Sequence, residues 1–513
     1  MPYVEAREII CPATTSECSR RKARNDASLQ LVATALPWSK EACLLSSFAN
    51  YAISYRYQTQ GTYPVRERIN ARTRLSDSIR VQAPPRGTGQ ESENDHVWTP
   101  RIVLLFLCCA VGLYVWFAVR VYVAYHLARR HDPTSLQRAI RLEPRNADSY
   151  ALLGEYLIWD AQDPRAAAIQ FQHAVKLDPY TSSYWAELAL VECSLGNDSE
   201  QASAIRRAIA VDPTTPDLAW SAANYFLIQG DTKEALDQFA VVIRSDPILA
   251  EAALEKSWRA VEQVDPIQRR LPPDPEVYLS FVKILVARQQ WVPAQQVWSS
   301  MLGLNRHFEA RAALFYVDAL LAKQDVLGAQ KVWQQIIDAS SDLKAYINPG
   351  NLVVNPNFEH EFLNAGFDWH YSGQNGVAMV LDPTQTHESS EALLITYSGA
   401  NNADAGVSQC VPVTPGVAYV ASAWVKSEEL DSANGPQLTV FDGYYSNALA
   451  RSDEILGSTS WHLAQATFTA PKETNLVVLR VSREPASTRI QGKLWIDNVH
   501  LVQSIAETTD PVR

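Results

Sequence analysis

The spacing of apolar residues changes character along this chain, and each change marks an element boundary. From Ile102 to Val119 runs an uncharged stretch of eighteen residues, IVLLFLCCAVGLYVWFAV. That is the minimum length read as a membrane-spanning helix. From about residue 132 to residue 340 the apolar positions keep a helical period, and successive helices stop at one phase. From Asn351 onward the pattern becomes short alternating runs broken by Gly, Asn and Pro. Residues 1–96 sustain no period at all.

The helical stretch is punctuated by Pro144, Pro179, Pro213 and Pro247, spaced 35, 34 and 34 residues apart. Each follows an acidic residue: Glu143, Asp178, Asp212 and Asp246. Proline cannot extend a helix, so each one closes a helix in the same place of a repeat. Gly154, Ala189 and Ala223 recur on first helices, and Ala167, Ala235, Ala294 and Ala329 on second helices. Small side chains there let helix axes approach, while Phe171, Ile205, Phe239, Trp298 and Trp333 fill the flanking space. With this period and pairing, residues 132–340 resemble tetratricopeptide repeats. They depart from that family in lacking a consistent leading tryptophan and in the broken phase of residues 248–273, where Pro266, Pro272 and Pro273 cluster. The resemblance implies an all-α solenoid that binds protein partners on its concave face. Glu155, Glu187, Asn224 and Lys283, outward on first helices, are the candidate lining, against the plainer reading of solvated positions.

In the last third, nine strands are expected: 352–354, 377–381, 392–397, 407–413, 418–426, 437–441, 463–469, 475–481 and 493–501. Short strands of this number over 150 or so residues read as a two-sheet sandwich. The segments NLVVNPNFE (351–359), YVASAWVKS (419–427) and GKLWIDNVHLV (492–502), together with Trp369, resemble the carbohydrate-binding jelly rolls of families 4 and 9. That resemblance implies glycan recognition and, through Glu359 and Asp497, a structural calcium; the alternative gives Asp497 a turn-capping role and leaves Glu359 solvated. Stacking on sugar needs exposed aromatic faces beside polar groups. Tyr444, Tyr445 and Trp461, with Asp442, Asn447 and Gln374, are the candidates, and Trp424 and Trp495 are expected in the core.

The apolar run is read as an uncleaved single membrane anchor over 101–127, because no small-residue cleavage site follows it; a buried helix is the alternative. Arg120, Arg129, Arg130 and Arg138 after it place the repeats on the cytoplasmic side by the positive-inside rule. The glycan-binding resemblance argues for the opposite, exported side. Residues 1–96 are either a disordered, weakly basic cytoplasmic tail or a stretch upstream of the true start; a later start needs an alternative codon, for example at Val97, because Met1 is the only methionine before Met301.

Charge removes one class of partner. Residues 351–513 hold 8 Lys and Arg against 18 Asp and Glu, and the whole chain carries a formal charge of −11. Phosphate-backbone binding needs clustered cations, so nucleic acid is not expected. The two globular regions hold one cysteine each, Cys193 and Cys410, so neither can close a disulfide internally. No phosphate loop, nucleophile elbow or dinucleotide fingerprint occurs. His387-Glu388-Ser-Ser-Glu391 lacks the second histidine of a zinc-protease motif.

The expectation is therefore a multidomain, non-enzymatic protein. It joins a single transmembrane helix (101–127), an all-α tetratricopeptide solenoid (132–340) and an all-β jelly-roll sandwich (351–505). Its partners are proteins, the membrane and polysaccharide, without a cofactor beyond the structural calcium. Its role is that of a membrane-tethered adaptor in bacterial envelope or exopolysaccharide handling. The alternatives are a cytoplasmic scaffold whose sandwich binds no sugar, and a glycan-processing enzyme.

Overall fold

The computed structural model describes residues 98–504, apart from 402–403, 446 and 485–487. The expected N-terminal segment 1–96 and residue 505 lie outside the described residues. The chain divides into two compact units between Ala253 and Leu254.

In the N-terminal unit, helix α1 (Trp98–Ala128) is long and apolar enough to cross a membrane. Residues 103–119 are exposed all round, with no face covered. From Arg120 onward the helix behaves differently. Ala124 and Ala128 are buried, and Ala128 packs with Leu136 and Ala139 of α2 (Pro133–Leu142) and Leu153 of α3 (Ala147–Trp159). Arg120 Nε donates to Leu142 O at 2.5 Å and lies 3.0 Å from Glu143 Oε1. The end of α1 is thus the first helix of a repeat, paired with α2. The array begins inside the stretch expected to be wholly membrane-spanning, ahead of residue 132.

Helix pairs follow: α3 with α4 (Pro164–Leu177), α5 (Ser182–Leu195) with α6 (Asp198–Val211), and α7 (Pro216–Gln229) with α8 (Thr232–Ser245). The small–large pattern is the packing code. A Cβ on Gly154 would sit 2.8 Å from the Phe171 ring, so only glycine lets those helices close. Ala167, Ala235, Phe171 and Phe239 are fully buried. The acidic residue before each proline has a second role that the helix-stop argument misses. Asp178, Asp212 and Asp246 end their helices and then accept hydrogen bonds from the next turn: from Tyr180 N (3.0 Å), Thr214 N (3.1 Å) and Ile248 N (2.8 Å). One Asp-Pro unit closes one helix and caps the turn into the following one. Hydrogen bonds from the Thr181 and Thr215 hydroxyls, and then these backbone bonds, hold the Asp178 and Asp212 carboxyls below the usual carboxylate range.

The helix α9 (Pro247–Val261) spans the division between units, and its follower α10 (Val264–Gln268) is a single short turn, which is why the phase breaks there. In the C-terminal unit two full pairs resume: α11 (Pro275–Ala287) with α12 (Trp291–Leu302), and α13 (Ala310–Ala322) with α14 (Val326–Ala339). Ala294, Trp298, Ala329 and Trp333 are buried as their spacing requires. A four-residue helix α15 (Ser341–Lys344) closes the helical part.

The sandwich follows in the same unit. Its ten strands are β1 (His370–Tyr371), β2 (Val377–Asp382), β3 (Ala392–Asn401), β4 (Asp404–Pro412), β5 (Ala418–Ser432), β6 (Gln437–Asp442), β7 (Ala448–Arg451), β8 (Gly457–Thr469), β9 (Leu476–Ser482) and β10 (Arg489–Gln503). They form two antiparallel sheets, ordered β1-β4-β9-β6-β7 and β2-β3-β10-β5-β8. Eight of the nine expected strands are present. The ninth, 352–354, is only a bridge from Val354 to Ile347, and the short β1 and β7 were not expected.

The core between the sheets is built from Tyr419, Ala421, Ala423 and Val425 of β5, Leu494 and Ile496 of β10, and Val477 and Leu479 of β9. Trp424 is not part of it, which corrects that expectation, whereas Trp495 is buried as expected but lies outside the cluster between the sheets. Trp424 shares its phase with Ser422 and Lys426, the half-buried outer side of β5. Trp495 pairs with Lys426 across the same face and is covered there by other side chains.

Candidate functional site

The six residues expected to recognise glycan fall in three places. Asp442, Tyr444, Tyr445 and Asn447 belong to the turn between β6 and β7, Trp461 lies on β8 in the other sheet, and Gln374 precedes β2. Asp442 is buried and fully engaged: Oδ1 accepts from Tyr444 N (2.9 Å) and Tyr445 N (3.0 Å), and Oδ2 accepts from the Thr474 hydroxyl. Its backbone N–H donates to Asn447 O at 3.0 Å. Tyr444 donates its hydroxyl to Leu321 O at 3.2 Å, and burial pushes its pKa up to about 12. Asp442 and Tyr444 thus hold the turn in place, whereas Tyr445 is 52% exposed. Gln374 is exposed, with its amide donating to Ser372 Oγ at 3.4 Å.

The outer side of the second sheet holds a cluster that sequence reading did not assemble. The loop after β2 folds back over this sheet and lays His387 flat on Trp424, with ring centroids 3.9 Å apart and 15° between planes. Trp461 stands 5.8 Å from the same imidazole at 60°. Leu463, paired with Trp424 across the sheet, is 47% exposed. Beside them Trp495 Nε1 donates to Asp382 Oδ2 at 2.8 Å, and Lys426 Nζ sits 5.3 Å over the Trp495 ring while donating to Gln385 Oε1 at 2.5 Å. Aromatic faces with hydrogen-bonding groups at their edges suit a ligand that has one apolar face and a hydroxylated rim. The legible signal was the polar phase of Trp424 in VASAWVKS.

Glu359 and Asp497 meet at this same loop. Asp497, fully buried, accepts through Oδ2 from His387 N (2.8 Å) and Ser389 Oγ (2.6 Å), and through Oδ1 from Asn498 N (2.8 Å). Glu359 Oε1 accepts from Ser390 N at 3.0 Å and from Ser390 Oγ at 3.2 Å. The two carboxylates thus fix residues 387–390 by accepting from backbone N–H groups and serine hydroxyls of that loop. Among the described residues no group of three or more His, Cys, Asp or Glu gathers as a metal site.

On the helical array, Glu155 and Glu187 come from consecutive first helices, α3 and α5. Oε2 of Glu187 is sealed from solvent without a hydrogen-bond partner among the described residues. Burial, and secondarily the charge of Glu155, push the Glu187 pKa up to about 7. Glu155 is raised by burial, against the opposing pull of His131. Asn224 is half-buried and donates to Trp220 O at 2.7 Å, while Lys283 is exposed. Fully solvated positions describe Lys283 only.

Residues 350–488 match the family model of a carbohydrate binding domain that covers families 4 and 9. The helical part is thus similar to tetratricopeptide repeat proteins, and the sandwich to carbohydrate-binding jelly rolls. Subunit NrfG of the formate-dependent nitrite reductase complex of Escherichia coli O157:H7 is 26% identical over 162 residues, which span 28% of this chain and 80% of NrfG. Among solved structures, the similar chains include the CBM22-1–GH10 modules of Clostridium thermocellum xylanase 10B, complexed with xylohexaose. That likeness is 17% identical and covers 31% of this chain but only 29% of the xylanase chain, with a TM-score of 0.22. Another is YrrB, a tetratricopeptide protein with an unusual peptide-binding site, at 15% identity, covering 41% of this chain and 95% of that one, TM-score 0.21. No enzyme family is indicated for the tetratricopeptide array or the jelly roll.

Proposed function

We propose that this protein is a membrane-anchored adaptor: α1 holds it in the bilayer, the tetratricopeptide array engages protein partners, and the jelly roll binds glycan in the bacterial envelope. The observation that carries the anchor is the sharp change along α1 at Arg120. Residues 103–119 are bare on every side, although Trp116, Phe117 and Leu113 are among them, and the very next turn packs into the array. Seventeen helical residues rise roughly 25 Å, close to the thickness of a bilayer core. Because the first repeat grows out of the same helix, the array starts at the membrane surface with no intervening linker. NrfG is by name one subunit of a complex, which supports reading the array as partner-binding.

The family of the jelly roll favours an exported location for the array and sandwich. The cytoplasmic alternative draws on Arg120, Arg129, Arg130 and Arg138, but Arg120 is spent on Glu143 and Leu142 O and so counts less toward it. Within the jelly roll the glycan surface is the His387–Trp424–Trp461 side of the second sheet, and calcium at Glu359 and Asp497 would pin the loop that carries His387. Membrane fractionation tests the anchor: the protein stays with membranes through high-salt and alkaline washing. Release of the full-length chain into the soluble fraction contradicts it.

A further inference from the structure

A cavity of 840 Å³ opens between the second helices of two consecutive repeats. Its charged and polar walls are Lys176 from α4, Trp185 from α5, and Ser199, Ser203, Arg206 and Arg207 from α6. The α6 residues fall on one stripe, since positions three, four, seven and eight apart share a helix face. The small serines leave the groove open, and the two guanidinium groups follow one turn later. No carboxylate lines the cavity. Neither Lys176, Arg206 nor Arg207 makes an ion pair with another described residue. Among nearby carboxylates, Glu200 accepts from the Ser199 hydroxyl, and Asp178 from Tyr180 N at 3.0 Å and the Thr181 hydroxyl at 2.6 Å. Trp185 is fixed at the wall, its indole N–H donating to Pro179 O at 2.9 Å.

We infer that this cavity takes an acidic peptide segment of a protein partner. Three cations distributed over two helices, with an aromatic wall between them, match several carboxylates along an extended chain rather than one oxyanion. Arginine forks pair with carboxylates bidentately, and the indole offers a face to the apolar parts of the same segment. The inference rests on reading the array as partner-binding, and it locates that binding on second helices rather than on the Glu155–Glu187 side.

The test uses full-length protein in detergent and a fluorescein-labelled Glu–Gly repeat peptide, followed by anisotropy at low and moderate salt. The expected result is saturable binding that R206Q/R207Q weakens about tenfold. Ser203→Trp, which fills the groove and keeps every charge, weakens it comparably, and Arg165→Gln, outside the cavity, leaves it unchanged. Absence of binding, equal loss with Arg165→Gln, or retention by the double variant overturns the proposal. Tighter binding of a polyuronate than of the peptide also overturns it. The membrane-fractionation result is independent of all four, so failure here is separable from failure of the adaptor reading.

Discussion

The backbone N–H of Gly366 donates to Asp318 Oδ1 at 2.6 Å, tying the start of the sandwich domain to helix α13, 48 residues earlier in the chain. Gly366 has a φ of 63°, and a Cβ there would sit 2.5 Å from the Trp333 ring. Around it Trp333 meets Phe367 edge-on at 5.8 Å, Tyr346 donates to Glu361 O at 3.0 Å, and Tyr346 stacks on His360. The last repeats and the sandwich form one compact unit because these contacts replace a linker.

That arrangement makes Gly366→Ala costly twice over, through a left-handed backbone and through the Trp333 clash. We expect a loss of about 2–4 kcal/mol in unfolding free energy. Gly350 has a φ of 89° but open space where a Cβ would lie, so Gly350→Ala should cost only the backbone share. Denaturant unfolding of both variants separates the two contributions. Equal losses would show that the Trp333 contact does not matter.

Glu187 gives a pH signature. Its pKa, pushed up to about 7 when folded, lies above its ordinary unfolded value of 4.5, so the folded chain holds a proton that the unfolded chain has released. Stability from this group therefore falls as pH rises from about 4.5 to about 7 and stays low above that. Glu187→Gln should raise the melting temperature at pH 8 and flatten that slope. A variant whose melting curve tracks the parent at every pH would remove the buried-carboxyl account.

Much of this fold was legible in the chain because it rests on periodicity. Asp-Pro spacing and the Ala–Phe and Ala–Trp pairs marked the helix pairs, since close packing leaves little choice at Gly154 against Phe171. The outward placement of Trp424 follows phase rather than size: Ser422 and Lys426 share its side, and the smaller Ala421 and Ala423 take the inward positions. The site was less legible than the fold. His387 reaches Trp424 by a loop whose path no local pattern encodes, and Tyr444 finds Leu321 only across a domain junction. Likewise the uncharged run concealed that α1 joins the array, since the decisive contact is Arg120 with a residue 23 positions further on, Glu143.

Calcium can be tested apart from sugar. If an ion joins Glu359, Asp497 and the 387–390 loop, adding calcium to chelator-treated protein raises the melting temperature, because a ligand bound only by the native state stabilises it. Asp497→Asn should abolish that rise. A melting temperature indifferent to both calcium and chelator removes the ion and leaves the hydrogen bonds to His387, Ser389 and Ser390 as the loop's fixings.

The central claim, a tethered adaptor whose jelly roll grips glycan at the Trp461 side of the second sheet, is tested most directly by affinity electrophoresis. The protein is run through gels cast with a panel of bacterial and plant polysaccharides. The account predicts retardation by at least one of them, lost in Trp461→Ala and retained in Tyr445→Ala, with both variants melting like the parent. Retardation by none of the panel, with and without calcium, or loss in Tyr445→Ala alone, would contradict it.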